Sequence, residues 1–247
     1  MSYFFTSESV TEGHPDKVCD AISDAILDNL LSQDQESHVA CETLATNGLV
    51  VVSGEVRSSG SLDIPTIVKD TLSDIGYTDE AKGMDNNSVE IKEIIHEQSP
   101  EIAQGVDADN ISEQGAGDQG LMFGYAVDET ETYMPAPIYY SHKILKELAK
   151  IRHKDKNSIL LPDSKSQITL EYVEGKPHKA TSVVVSTQHI KGCSQEDIKN
   201  LVRDIVIDIL PDGWMCPEEE FYVNPTGIFE IGGPNGDAGL TGRKIIV

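Results

Sequence analysis

Val39-Ala40-Cys41-Glu42-Thr43-Leu44-Ala45-Thr46-Asn47-Gly48-Leu49-Val50-Val51-Val52-Ser53-Gly54-Glu55-Val56 is the stretch that sets the fold class. Two strand-like runs flank Asn47-Gly48, the strongest two-residue hairpin signal. Such a turn pairs Thr46 with Leu49, and hence Glu42 with Ser53 and Ala40 with Glu55. Glu42 and Glu55 then share one strand face as diagonal neighbours, roughly 7–8 Å apart. Ala40, Leu44, Leu49 and Val51 share that face. Two carboxylates there need a cation, a ligand or open water.

Outward from this hairpin, strand-like and helix-like stretches alternate. Pro15 to Leu31 has helical spacing, with Val18, Ile22, Ala25, Ile26 and Asn29 on one side. Ile64 to Ile75 is expected as a helix, and Ser88 to His96 and Leu121 to Val127 as strands. Ala136 to Arg152 is a helix with Pro137 in its first turn. Gln167 to Val173 and Lys179 to Gln188 form a second hairpin around Glu174-Gly175-Lys176. A helix over Asp197 to Leu210 and short strands over Phe221 to Asn224 and Ile228 to Ile231 complete the pattern, and Ile245 to Val247 resembles a fresh strand. Hairpins separated by helices predict α+β layers, each a mixed sheet with helices on one face. Glu97 to Gly120 has no periodicity, and loops that long are disordered or functional lids.

The chain has 247 residues, 38% of them hydrophobic, enough for a sizeable core. Lys and Arg number 19 against 42 Asp and Glu, a formal charge of −23. That balance argues against nucleic acid as a partner, since tracking a phosphate backbone needs a basic stripe. Any bound polyphosphate must instead meet a local cluster of cations or a metal. No apolar run approaches a membrane span, and Met1-Ser2-Tyr3-Phe4-Phe5 lacks a basic leader region. Cys19, Cys41, Cys193 and Cys216 form no CxxC pair, which predicts reduced thiols in a cytoplasmic protein.

Four local patterns carry possible chemistry. In Glu12-Gly13-His14-Pro15-Asp16-Lys17, Pro15 starts a helix, so His14 and Asp16 sit at its N-terminus, where anions are favoured. A His, a carboxylate and a Lys there suit a leaving-group oxygen, a metal and a phosphate. The same residues also describe a plain helix start whose Asp complements the dipole by about 0.3–1 kcal/mol. Asp20, Asp24 and Asp28 form an acidic stripe to which no chemistry is assigned. Gly115-Ala116-Gly117-Asp118-Gln119-Gly120 matches G-x-G-x-x-G, but a polar loop precedes it, a strand pattern follows, and no acid lies about 20 residues on. A tight turn presenting Asp118 survives that test. Gly232 to Lys244 is glycine-rich and ends in Arg243-Lys244; it is no Walker loop, yet its backbone donors and two cations can hold a polyphosphate. Asp163-Ser164-Lys165 adds another cation. His38, His96, His142, His153, His178 and His189 lack metal-ligand spacing and are read as structural or exposed.

Together these stretches resemble the S-adenosylmethionine synthetases (methionine adenosyltransferases). The matches include Phe5 to Val10 with Gly13 to Lys17, Ala40 to Thr43, Gln98-Ser99-Pro100 to Val106, Gly115 to Ala126, Met134 to Pro137, Pro162 to Gln167, Ser186 to His189, Asn224 to Gly227 and Ile231 to Val247. The resemblance implies three similar mixed-sheet and helix units: 1–101, 102–230 with the Gly-rich turn and most of a lid that runs from Gln98 to Ala108, and the start of a largely missing third unit at 231–247. It implies a transferase that turns ATP, L-methionine and water into S-adenosylmethionine, phosphate and diphosphate with Mg²⁺ and K⁺. The assembly implied is a homodimer or a dimer of dimers (a homotetramer) with shared active sites. By position, His14, Lys165 and Asp118 are implied as catalytic, and His14, Asp163, Lys165, Ile228, Phe229, Asp237, Arg243 and Lys244 as ATP contacts. Glu55, Gln98 and Asp237 are implied as methionine contacts, Asp16 as a Mg²⁺ ligand and Glu42 as a K⁺ ligand. The family commonly has Arg where Ile228 stands. It also continues past Val247 through further phosphate-binding lysines and an acid. The sequence as it stands is therefore expected to be about two-thirds of an enzyme with negligible synthesis; the rival expectation is an inactive chain acting only in subunit assembly.

Overall fold

The computed structural model describes residues 1–97, 122–155 and 157–247. The hairpin forms with the expected register: β2 (His38–Thr46) and β3 (Leu49–Arg57) pair Thr46 with Leu49, Glu42 with Ser53 and Ala40 with Glu55. β6 (Glu90–Glu97) adds to β3 in parallel. α1 (Pro15–Gln33) and α2 (Ile64–Ile75) cover one face of this sheet, joining Val18, Ile22, Ile26 and Leu30 to Ala45, Val50, Val52, Val68 and Leu72 in one core. Leu30, not Asn29, completes the buried stripe of α1. A small ribbon, β4 (Thr78–Asp79) with β5 (Met84–Asp85), follows α2.

The second hairpin is longer than its pattern suggests. β7 (Leu160–Val173) and β8 (Lys176–His189) turn at Glu174-Gly175, and β9 (Phe221–Val223) pairs with β8 in parallel. α3 (Ala136–Lys154) and α4 (Gln195–Ile209) pack on one face, where Ile144, Leu148, Ile168, Leu170, Val183, Val185, Val202 and Val206 form a second core. The α+β reading with mixed sheets and one-sided helices therefore holds.

Chain order and spatial order diverge at two strands. β1 (Ser2–Val10), unmarked by any apolar alternation, pairs antiparallel with β7, so the second sheet runs β1-β7-β8-β9. β10 (Gly239–Leu240) pairs with β2, so the first runs β10-β2-β3-β6. Each sheet borrows a strand from the far end of the chain.

Three expected strands do not form. Residues 122–127 are irregular and expose Met122, Phe123 and Tyr125; among the described residues no sheet edge is offered to them, and only the Val127 N–H finds a backbone carbonyl, that of Tyr133. Leu121 lies outside the described residues. Ile228 to Ile231 is also irregular, because side chains take its backbone groups: Phe229 N–H donates to His189 Nε2 at 3.1 Å, and Glu230 O accepts from Gln188 Nε2 at 3.1 Å. Ile245 to Val247 follows a turn rather than entering a strand, since Lys244 is drawn back to Asp16. No helix among the described residues is long and apolar enough to cross a membrane.

The two layers meet where β1 leads into α1. Thr11 Oγ1 donates to Pro162 O at 2.7 Å and accepts from Ser164 N–H at 2.8 Å, and Thr11 N–H donates to Ser164 O at 2.9 Å. Thr11 and Ser164 are both buried. Thr11→Val keeps the shape but strands a buried N–H and a carbonyl, so it is expected to cost about 1–3 kcal/mol. Urea unfolding measures this; a loss below about 0.5 kcal/mol, the size of a neutral surface change, would show the junction to be dispensable.

Candidate functional site

A pocket of about 390 Å³ opens at this junction. It is lined by His14 and Pro15 from the start of α1, Asp163 and Lys165 from β7, Ser186 from β8, the Asn224–Phe229 turn, and the glycine loop from Ile231 to Asp237. Of the residues implied for ATP, it gathers His14, Asp163, Lys165, Ile228, Phe229 and Asp237.

His14 is the N-cap of α1, with extended backbone (φ −61°, ψ 137°), and its Nδ1 accepts from Asp16 N–H at 3.2 Å. That bond assigns the proton of the neutral ring to Nε2. Burial, helped by the nearby Lys244 charge, lowers the imidazole pKa to about 4. The ring is thus a neutral donor near pH 7, set among helix-start amides that favour anions.

Asp163 is buried, and its Oδ2 accepts from Gly233 N–H at 2.8 Å. Burial raises its carboxyl to about 6 against the opposing pull of that hydrogen bond and of Lys165. Lys165 Nζ lies 3.4 Å from Glu8 Oε1 in a half-exposed pair, a contact weak enough to yield to a better anion. Ile228, exposed at 72%, stands at the mouth, so this rim carries no cation.

Asp16 faces a different partner set. Its carboxylate is 2% exposed, takes Lys244 Nζ at 2.5 Å and Leu240 N–H at 3.0 Å, and has Arg243 Nε at 3.7 Å. Burial works against its charge, yet these contacts outweigh it and hold the carboxyl below its ordinary value. The acidic stripe of α1 takes part as well: Asp20 Oδ1 accepts from Gly242 N–H at 2.8 Å. Thr241 Oγ1 completes the docking with bonds to Ser23 at 3.0 Å and Thr43 N–H at 2.7 Å. Arg243 and Lys244 are therefore held beside the pocket by α1.

Glu42 and Glu55 share the exposed face of the first sheet and do not line this pocket. Gln98, Asp118, the Gly115–Gly120 turn and the lid at 98–108 lie outside the described residues. The pocket also depends on residues to which the sequence reading assigned no role. Asn224 adopts left-handed φ of 46° and clamps Thr187 through both its amide atoms, at 2.8 and 3.1 Å; a signal exists, since Asn tolerates that region. Gln188 and His189, both buried, grip the Phe229–Glu230 backbone.

Two family models match the chain: the S-adenosylmethionine synthetase N-terminal domain at residues 2–100, and the central domain at residues 113–229. The chain belongs to the S-adenosylmethionine synthetase family. It is 58% identical to an S-adenosylmethionine synthase of Rhodospirillum centenum and 57% identical to one of Maricaulis maris, in each case over 100% of this chain and 64% of the relative. S-adenosylmethionine synthase 2 of Rhodospirillum rubrum is 59% identical, over 99% of this chain and 63% of its own length. The chain thus spans less than two-thirds of the length of these curated relatives. Both family domains contribute to the pocket, His14 from the first and Asp163, Lys165 and Phe229 from the second.

The two pKa shifts act on stability in opposite directions. His14, lowered from 6.5 to about 4, contributes stability that is lost as pH falls through that window. Asp163, raised from 3.8 to about 6, contributes stability present at low pH and lost as pH rises through that window. Asp163→Asn removes only the second effect. Relative to wild type it is expected to gain stability between pH 4 and pH 6, by at most about 1.4 kcal/mol per pH unit, and to gain nothing further above. Urea unfolding at pH 4, 5, 6 and 7 checks this, and a difference that falls with pH would contradict it.

Proposed function

We propose that this protein serves as a methionine adenosyltransferase: ATP, L-methionine and water give S-adenosylmethionine, phosphate and diphosphate. The observation that carries this reading is the convergence of six residues assigned to ATP by the family resemblance on one pocket, at a helix start bearing a neutral histidine. In the reaction, the methionine sulfur forms a bond to C5′ of the ribose while the C5′–O bond breaks. The electron pair leaves with the triphosphate, the sulfur becomes a sulfonium, and water then cleaves one P–O–P bond of the triphosphate to give phosphate and diphosphate. His14 Nε2–H donates to the departing oxygen. Lys165 neutralises phosphate charge, joined by Lys244 and Arg243 once a polyphosphate draws them from Asp16. Phe229 offers an apolar wall for the base, and Asp237 an anion for the nucleoside or the methionine ammonium. Little covalent work falls to the protein, so positioning and charge neutralisation supply the rate.

The family is metal-dependent. Among the described residues no three acids, histidines or cysteines converge as an all-protein cage. A lone buried carboxylate beside a phosphate-binding pocket nevertheless fits Mg²⁺, which binds through one or two carboxylates together with substrate phosphates. Asp16 would hold it after releasing Lys244, and the ion would add positive charge at the phosphate oxygens. Glu42 is the proposed K⁺ ligand. Glu55 and Gln98 are assigned to methionine, and Asp118 to orienting the substrate. Since Glu42 and Glu55 face outward rather than into their own chain's pocket, we place them at a pocket completed by a second copy, in a homodimer or dimer of dimers. The family segments are taken as 1–101, 102–230 and from 231 onward, and the lid as 98–108. Four reduced cysteines suit a cytoplasmic setting.

Calorimetry with a non-hydrolysable ATP analogue tests the nucleotide part, and release of S-adenosylmethionine and phosphate with Mg²⁺ and K⁺ tests the whole reaction. Absence of analogue binding at millimolar concentration would overturn the reading. In the complete enzyme, Lys165→Ala is expected to lower kcat by about 10²–10³, the usual worth of one charge-stabilising donor; a fall below about threefold would remove Lys165 from the chemistry. In the complete enzyme, Asp16→Asn is expected to raise the Mg²⁺ concentration for half-maximal activity by about tenfold, equivalent to about 1.4 kcal/mol. An unchanged Mg²⁺ titration would exclude Asp16 as a ligand.

A further inference from the structure

Tyr77 does not line the pocket, yet both walls of the pocket close on it. It follows Gly76, whose φ of 106° ends α2 and turns the chain inward, and Tyr77 N–H returns to Leu72 O at 2.8 Å. The side chain is fully buried. Its hydroxyl donates to the carbonyl of Gly13, the residue before His14. The glycine loop packs on the same phenol from the other side. A side chain at Gly233 would collide with the Tyr77 hydroxyl, and one at Gly83 would come within 2.8 Å of Cε1. Gly233 is also the residue whose N–H holds Asp163 Oδ2, and Asp237 N–H donates back to Gly233 O at 3.2 Å. The phenol therefore stands between the loop that carries His14 and the loop that carries Asp237 and fixes Asp163.

We propose that Tyr77 is a positioning residue for this pocket: its ring and hydroxyl set the separation of the His14 loop from the glycine loop, and so aim the imidazole at the oxygen leaving the nucleotide. The proposal rests on the nucleotide reading of the pocket. Burial, reinforced by the Asp163 charge, keeps the phenol protonated well above its ordinary range, so it remains a donor at any working pH. No other donor to Gly13 O is found among the described residues.

Tyr77→Phe removes only the hydroxyl. The control is Tyr172→Phe, a second buried tyrosine whose hydroxyl donates to Glu129 Oε2 at 2.8 Å. It lies seven residues beyond Lys165 on β7, roughly 23 Å along the strand. Because a misplacement of about 1 Å can cost about 10²-fold, Tyr77→Phe in the complete enzyme is expected to lower kcat by about tenfold with KM for ATP changed by less than about threefold. Amide exchange should quicken by about fivefold or more in both 12–17 and 232–237, local openings that leave 18–30 of α1 unaffected. Tyr172→Phe should lose thermal stability while keeping kcat within about twofold, as a purely structural change does. Wild-type exchange in either loop of Tyr77→Phe would overturn the proposal, as would a kcat loss no greater than that of Tyr172→Phe. Failure of the nucleotide reading would appear separately, as wild-type protein that binds no ATP analogue; the exchange comparison would then decide alone whether Tyr77 sets the two loops.

Discussion

The pocket rests on the crossing where β1, paired along β7, leads into α1, and the Thr11 hydroxyl is the buried tie at that crossing. It bonds Pro162 and Ser164 in a buried position, and so brings the start of α1 against β7. Without that crossing, His14 would belong to one layer and Asp163 and Lys165 to another. Residues about 150 positions apart share a pocket because a strand from the first ten residues enters the second sheet and ends at this hydroxyl. The polar bonds are few, but each is buried, and a buried donor left unmade costs more than a made one contributes.

The charge distribution follows a related logic. At −23 the chain repels anions overall, yet the pocket sits at a helix start with Lys165 on one side and Arg243 and Lys244 on the other. α1 holds those last two through Asp16 and docks the preceding Gly242 backbone through Asp20. Paired in this way, the cations do not repel one another and the buried carboxylate is compensated. Under the proposed function, a polyphosphate would compete with Asp16 for Lys244 and Arg243, which couples its binding to the release of that carboxylate.

Much of this was legible in the sequence, and the failures have physical reasons. The Asn47-Gly48 turn dictated a register that the structure reproduces residue by residue, because a two-residue loop leaves no freedom. Helices with clean apolar stripes were found for the same local reason. β1 was not, since Thr6, Ser7, Glu8 and Ser9 show no alternation and its partner lies far along the chain. Ile228 to Ile231 looked like a strand by composition, but its backbone is claimed by Gln188 and His189, a tertiary contact that no local pattern encodes. In the pocket, His14 and Lys165 were candidates from local pattern, Asp163, Phe229 and Asp237 only from family resemblance, and their convergence comes from the structure. Tyr77, Gln188 and His189 escaped because buried hydrogen-bonding side chains leave no periodic trace.

The placement of β1 bears on how the molecule is made. On a ribosome the Ser2–Val10 segment emerges well before its partner in β7, which follows about 160 residues later, a delay of roughly 10–30 s at typical elongation rates. During that interval the nascent segment carries Tyr3, Phe4 and Phe5 with no sheet to join, the kind of unpaired edge that invites association with other chains. The first layer can meanwhile assemble β2, β3 and β6 with α1 and α2, whose contacts are mostly local and therefore fast. Biogenesis thus completes the pocket late: its histidine is made early, and the wall that bears Asp163 and Lys165 closes only when β1 pairs with β7.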